Sequence, residues 1–278
     1  MKEMPIGRYT NYNTFIHRLD ARFKLLAMIL LMVLVFFHFP SRYMDFTFYG
    51  FLLIIMIVLL KASKLRFKQL WRAIKPMLFM IFFLLIINIL VTHTGDAFYI
   101  GSFPIHYDAL YNTLYTFVRL VLMLSFSLIL TATTKPMDLT YALEWYFHPL
   151  TWIKIPVHIL AMVISLALRF IPTLMEDTDR FMKAQASRGV DFENGKLKEK
   201  VKAVISLIIP LVTSSIQRST DLADAMEVRG YDPHGKRTRY RIMKFHKRDL
   251  FSFLIILCFF GGMLTLSILG IDFYKGLY

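Results

Sequence analysis

Five runs of nearly unbroken hydrophobic residues stand out along the chain, at roughly 25–39, 46–60, 76–92, 115–132 and 250–271. A helix needs about 20 such residues to cross a hydrocarbon core about 30 Å thick, and each run reaches or approaches that length. The first two are short and draw on interfacial neighbours such as Phe23 and Tyr43. The first reads as a span and not as a signal peptide: it follows 24 residues of chain, lacks a small-residue cleavage site and is succeeded by further spans. Two other apolar runs, 155–175 and 201–216, have a different character. The first carries Arg169 close to Pro172, and the second is short with Pro210 at its centre. Each sits in a longer helical pattern that is apolar before its proline and charged after it, so Pro172 and Pro210 are expected helix kinks. About 30 helical residues rise roughly 45 Å. The pattern therefore predicts two long helices that begin at the membrane interface and leave it along their length.

Charge orients the spans. Lys2, Arg8, Arg18, Arg22 and Lys24 precede the first run, and Lys61, Lys64, Arg66, Lys68, Arg72 and Lys75 crowd the loop after the second. The stretch 93–114 holds no Lys or Arg, and a second basic cluster, 236–248, precedes the last run. The positive-inside rule places the N-terminus and 133–248 in the cytoplasm and the C-terminus outside. Three segments result: a four-span membrane domain over 1–132, a cytoplasmic and interfacial domain over 133–248, and a final transmembrane helix over 249–278. Composition agrees, with 56% hydrophobic and 19% charged residues and 26 Phe among 278. A soluble domain could not bury that much apolar surface. The single cysteine excludes a disulfide framework. The net charge of +14 is distributed as anchors beside spans, which favours anionic lipid over nucleic acid as its partner.

The two long helices end alike, in Ala186-Ser187-Arg188-Gly189 and in Glu227-Val228-Arg229-Gly230, with Ala184 and Ala225 each four residues before the arginine. Glycine past a helix end is the usual left-handed cap, and a cation in the last turn suits the helix dipole. The repetition on two similarly built helices adds a second reading, in which each forked guanidinium is a plug for a socket on a soluble partner. No phosphate-binding glycine loop, metal-ligand spacing or nucleophile turn occurs, and no cofactor or metal is expected. Arg119, near the outer end of the fourth run, is expected to snorkel to the interface. Asn88 in the third reads as a hydrogen bond between helices. Two rival functions remain open at this level. One is a self-contained secondary carrier, which the uncharged spans disfavour. The other is a membrane-interface enzyme using Asp138, Glu144 or Glu176 as acids.

The opening Phe15-Ile-His-Arg-Leu-Asp-Ala-Arg-Phe-Lys24 resembles the His-x-Leu-Asp-Pro-Arg-x-Lys motif of one transporter family, with Ala21 in place of the usual proline. Pro136-Met-Asp-Leu-Thr-Tyr-Ala-Leu-Glu144, Pro156-Val-His158, Ser165-Leu-Ala-Leu-Arg-Phe-Ile-Pro172 and Glu227-Val-Arg-Gly-Tyr231 are also similar to that family. It is the transmembrane T component of energy-coupling factor transporters, a branch of the ATP-binding-cassette importers, and the similarity covers nearly the whole chain. The resemblance implies an all-α integral membrane protein of the bacterial plasma membrane, with about five transmembrane helices and two long coupling helices. It implies that the arginine tips (Ala186, Ser187, Arg188, Gly189, Val228, Arg229, Gly230) dock into two cytoplasmic ATPase subunits. A small membrane S component, dedicated or exchanged, would bind the vitamin or metal. The chain itself would be a non-catalytic scaffold. The apolar halves of the two helices, through Met162, Ile164, Ile208 and Leu211, are then expected to form one soft platform for the S component.

Overall fold

The structure, a computed structural model, describes residues 12, 14–37, 42–92, 97–100, 103–192, 196–232, 235 and 246–269. Among these residues run eight α-helices: α1 (Ala21–Leu34), α2 (Arg42–Ala62), α3 (Phe67–Val91), α4 (Tyr107–Thr133), α5 (Pro136–Phe147), α6 (Val157–Ser187), α7 (Leu197–Val228) and α8 (Lys247–Leu269). Strands β1 (Ala97–Ile100) and β2 (Phe103–His106) form an antiparallel hairpin between α3 and α4, with Ala97 opposite His106. The described residues fall into two compact units, one drawn from 1–142 and 243–278, the other from 143–242.

The first unit is built around α1. Leu31, Leu34 and Val35 meet Leu52 of α2 and Leu122, Phe126 and Ile129 of α4 in a fully buried core. The last helix, α8, joins it through Phe253 against Phe23, Phe259 against Phe51 and Phe260 against Phe37, at ring separations of 5.5, 4.9 and 5.8 Å. Asn88 of α3 donates to the Thr113 hydroxyl of α4 at 2.9 Å, the interhelical bond its position suggested.

Among the described residues, five helices are long and apolar enough to cross a membrane: Met44–Ala62, Phe67–Val91, Tyr107–Thr133, Val157–Ser187 and Lys247–Thr265. Four of them match apolar runs of the sequence, and their outer faces carry large exposed side chains such as Phe79, Phe82 and Leu90. In water these would be unsatisfied; in lipid they are solvated. Two points remain, the length of the helix at the first run and the character of α6. The run at 25–39 yields an α1 of only 14 residues, closed by turn bonds from Phe36 N to Val33 O and Phe37 N to Leu34 O. Its start lies beside the end of α4, through Lys24 and Thr133 O, and Phe36 just past its end lies against Arg119, so α1 runs alongside the 119–133 stretch of α4. The fifth long apolar helix is α6, whose apolar half the sequence had placed at the interface.

In the second unit α6 and α7 pack against each other in opposite directions. Arg218 of α7 donates to Asp177 of α6 at 2.6 Å, and Tyr231, just past α7, donates to the Met162 sulfur near the start of α6 at 3.3 Å. Moving forward along one helix is thus moving backward along the other. Both helices run unbroken through their prolines, Pro172 and Pro210. The start of α7 is held by Glu199, whose carboxylate accepts the Lys196 backbone N–H at 3.0 Å.

Candidate functional site

Both arginine-bearing ends adopt one backbone motif. At the end of α6, Gly189 N donates to Ala186 O at 2.9 Å and Val190 N to Gln185 O at 3.1 Å. At the end of α7, Gly230 N donates to Glu227 O at 2.8 Å and Tyr231 N to Met226 O at 3.0 Å. These are two Schellman caps, and their left-handed residues are Gly189 (φ 85°) and Gly230 (φ 70°). The glycines satisfy carbonyls that the helix ends would otherwise leave bare. The capping explanation therefore accounts for the glycines but not for the arginines. Arg188 and Arg229 sit at the C-cap with backbone angles of −89°, 9° and −83°, 9°. Their side chains are exposed, and neither takes a partner among the described residues. Ala186, Ser187 and Val228 are exposed beside them.

Because the helices are antiparallel, the two tips lie at opposite ends of the pair, each eleven residues beyond the Asp177–Arg218 contact and so roughly 33 Å apart at 1.5 Å per residue. The sequence reading had both helices descending from the membrane together. Instead, each tip sits beside the apolar half of the other helix. Next to Arg188, residues Gly189, Val190 and Asp191 border a cavity of about 410 Å³ with Glu199, Lys202, Ala203 and Ser206 of α7. At the other end Tyr231 reaches Met162. The four expected platform residues are consequently divided. Met162 and Ile164 lie at one end, Ile208 and Leu211 at the other, roughly 35 Å away by helical rise. They form two patches, with Ile164 and Ile208 each about half exposed.

A second constellation, in the first unit, was visible to sequence reading only as a family motif. Asp20 caps α1, accepting the Arg22 backbone N–H at 2.9 Å, and pairs with the Arg22 guanidinium at 3.2 Å. Both side chains are buried. Arg22 also lies over the Tyr141 ring of α5, 5.2 Å from its centre. Lys24 donates to Thr133 O, at the end of α4, at 3.1 Å. Burial pulls the Lys24 ammonium down to about 8, against the opposing pull of Asp138, Asp249 and Asp20. Asp249, at the start of α8, accepts the backbone N–H of Asp20 at 3.4 Å and that of His246 at 3.1 Å. One cluster thus ties together the start of α1, the end of α4, α5 and the start of α8. An aspartate directly before an apolar run, followed by Arg-x-Lys, was the available signal: a helix cap whose cations had been counted only as topology markers.

Arg119 does not snorkel. It donates to the Tyr115 and Tyr49 hydroxyls, and its guanidinium stacks 4.5 Å from the Tyr115 ring and 5.6 Å from that of Phe36. Aromatic faces and phenol oxygens inside the unit supply what the water interface would have offered. The candidate acids are not gathered into a reacting pair. Glu144 is bound to His158 at 3.0 Å, while Asp138 acts on Lys24.

A family model described as cobalt transport protein (CbiQ) matches residues 12–240. The chain is 39% identical over 258 residues to the energy-coupling factor transporter transmembrane protein EcfT of Macrococcus caseolyticus, covering 92% of this chain and 96% of the relative. Against the protein of the same name from Bacillus subtilis the identity is 38%, covering 90% and 92%. Against that of Streptococcus thermophilus it is 40%, covering 92% and 96%.

Proposed function

The chain belongs to the family of energy-coupling factor transporter transmembrane proteins, and on that footing we propose that it is the non-catalytic scaffold joining two cytoplasmic ATP-binding-cassette subunits to a small substrate-binding membrane subunit, for uptake of a vitamin or other micronutrient. The observation that carries this reading is the pair of matching tips. Two exposed guanidiniums, on identical rigid caps, stand at opposite ends of one antiparallel helix pair. A two-subunit motor needs two such contacts, spaced so that one subunit can engage each. The buried face of each tip is already satisfied by its own backbone bonds, so the guanidinium is available to a partner. The apolar residues Met162 and Ile164 at one end and Ile208 and Leu211 at the other are assigned to the substrate-binding subunit, as a two-point seat.

The test is uptake together with co-purification of the ATPases for Arg188→Ala, Arg229→Ala and the double change. A charge-assisted bond in a desolvated groove contributes roughly 1.5–3 kcal/mol. Each single variant is expected to assemble through the remaining tip yet transport poorly, and the double variant to lose both assembly and uptake. Arg→Lys keeps the charge without the fork and should fall between wild type and Ala. Near wild-type uptake with both ATPases bound in the double variant would sink the proposal.

A further inference from the structure

Between α5 and α6 the chain forms a 3-10 segment, His148–Ile153, in which no residue is buried. From Phe147 to Pro156 every residue is exposed. The side chains on display are large and apolar: Trp152 is 89% exposed, Ile153 74%, and Trp145 and Phe147 48% each. The backbone is nonetheless ordered by its own bonds. Lys154, in the left-handed region at φ 64°, donates its N–H to Thr151 O at 3.0 Å, and Ile155 N donates to Leu150 O at 3.4 Å. A segment that is internally bonded yet leaves Trp152 and Ile153 almost wholly exposed, and Trp145 and Phe147 about half so, is built for a medium other than water.

We propose that this segment is an aromatic anchor that seats in the headgroup layer of the bilayer, with Trp145, Phe147, Trp152 and Ile153 inserted and Lys154 toward anionic phosphates. Three observations select lipid as the occupant. First, the segment leads from the short α5, which follows the long apolar helix α4, directly into the apolar half of α6 at Val157, the half expected at the membrane interface. Second, the composition is that of an interface: tryptophan beside lysine, and no Asp or Glu from Trp145 to Val157. Third, all three tryptophans of the chain share this setting. The remaining one, Trp71, is 52% exposed in the first turns of α3, another long apolar helix. The inference does not depend on the proposed coupling role. Its structural effect is to fix the root of α6, because Pro156 and the tight Lys154 turn join the anchor to that helix without slack.

The experiment places the full chain in nanodiscs of mixed phosphatidylcholine and phosphatidylglycerol, with Trp71→Phe and Trp145→Phe leaving Trp152 as the sole indole. Lipids brominated close to the headgroup are expected to quench most of its emission, while aqueous iodide quenches little and the emission is blue-shifted relative to free tryptophan. The companion variant, Trp71→Phe with Trp152→Phe, is expected to behave alike at Trp145. Both variants retain an aromatic ring at every position, so the anchor is preserved while it is read. Emission from Trp152 that brominated lipid leaves untouched and iodide abolishes would overturn the proposal. So would an indole that is wet in the nanodisc and becomes protected only when the co-expressed transporter subunits are bound, since the surface would then be a protein contact.

Discussion

Lys24 illustrates how a single buried cation shapes the first unit. Its pKa is lowered from 10.5 to about 8, with burial as the largest cause. Between those values the unfolded chain holds a proton that the folded chain has released. Stability therefore rises with pH through that window, and the penalty is fully present below about 8. A displacement of that size is worth about 3 kcal/mol. Detergent-solubilised protein should gain thermal stability between pH 8 and 10.5, and the gain should be smaller in Lys24→Met by an amount of that order. Because other lysines and tyrosines titrate in the same range, the difference between the two melting profiles is the measurement. Identical profiles would mean that Lys24 is solvated in the folded protein. Arg119 makes a related point: Tyr115 stands four residues before it on α4, but Tyr49 comes from α2 and Phe36 from just past α1, so the local sequence announces only one wall of the aromatic cage.

At the scale of elements, the bond between Arg218 and Asp177 is an ionic link from α7 to α6. Asp177 is mostly buried and Arg218 about one-third exposed, with a buried Nη1 that has no hydrogen-bond partner. Removing Asp177 leaves a partly desolvated guanidinium, at a cost on the order of 1–2 kcal/mol after allowance for solvent screening. Asp177→Ala should broaden the spin-label distance distribution between cysteines placed near the two helix tips, and the exchange Asp177→Arg with Arg218→Asp should narrow it again. If the exchange is as broad as the single variant, the link is incidental. Much of this level was legible in the sequence. Helices α2, α3, α4 and α8 coincide with apolar runs because a helix facing lipid is hydrophobic around most of its circumference. The length of α1 was not legible, because a closely packed helix and a lipid-facing one share the same composition. The Arg-Gly repeat was legible, and so was the left-handed glycine. The direction of α6 against α7 was not, because periodicity identifies the faces of a helix without saying which way its neighbour runs.

For the whole molecule, charge decides how the α6–α7 pair meets the membrane. Length and composition would let α6 cross. Its partner argues otherwise, since α7 packs alongside it and carries Lys198, Glu199, Lys200, Lys202, Arg218, Asp221, Asp224 and Glu227. Crossing by α6 would draw these charges toward the hydrocarbon, which is strongly unfavourable. Reporter fusions at 68, 142, 195 and 240 should therefore read cytoplasmic, and those at 98 and 278 external. An external reading at 195 would show that α6 does cross. The Asp177–Arg218 bond has one more consequence. Asp177 stands eleven residues before Arg188, and Arg218 stands eleven before Arg229. The contact between the helices thus divides them into lever arms of equal length, roughly 16 Å from fulcrum to tip. In the proposed scaffold the two motor subunits would work with the same mechanical advantage, although they grip unrelated stretches of a single asymmetric chain. An equal stroke at each end would then scissor the pair about its middle without tilting it, so that force is delivered to both apolar patches at once.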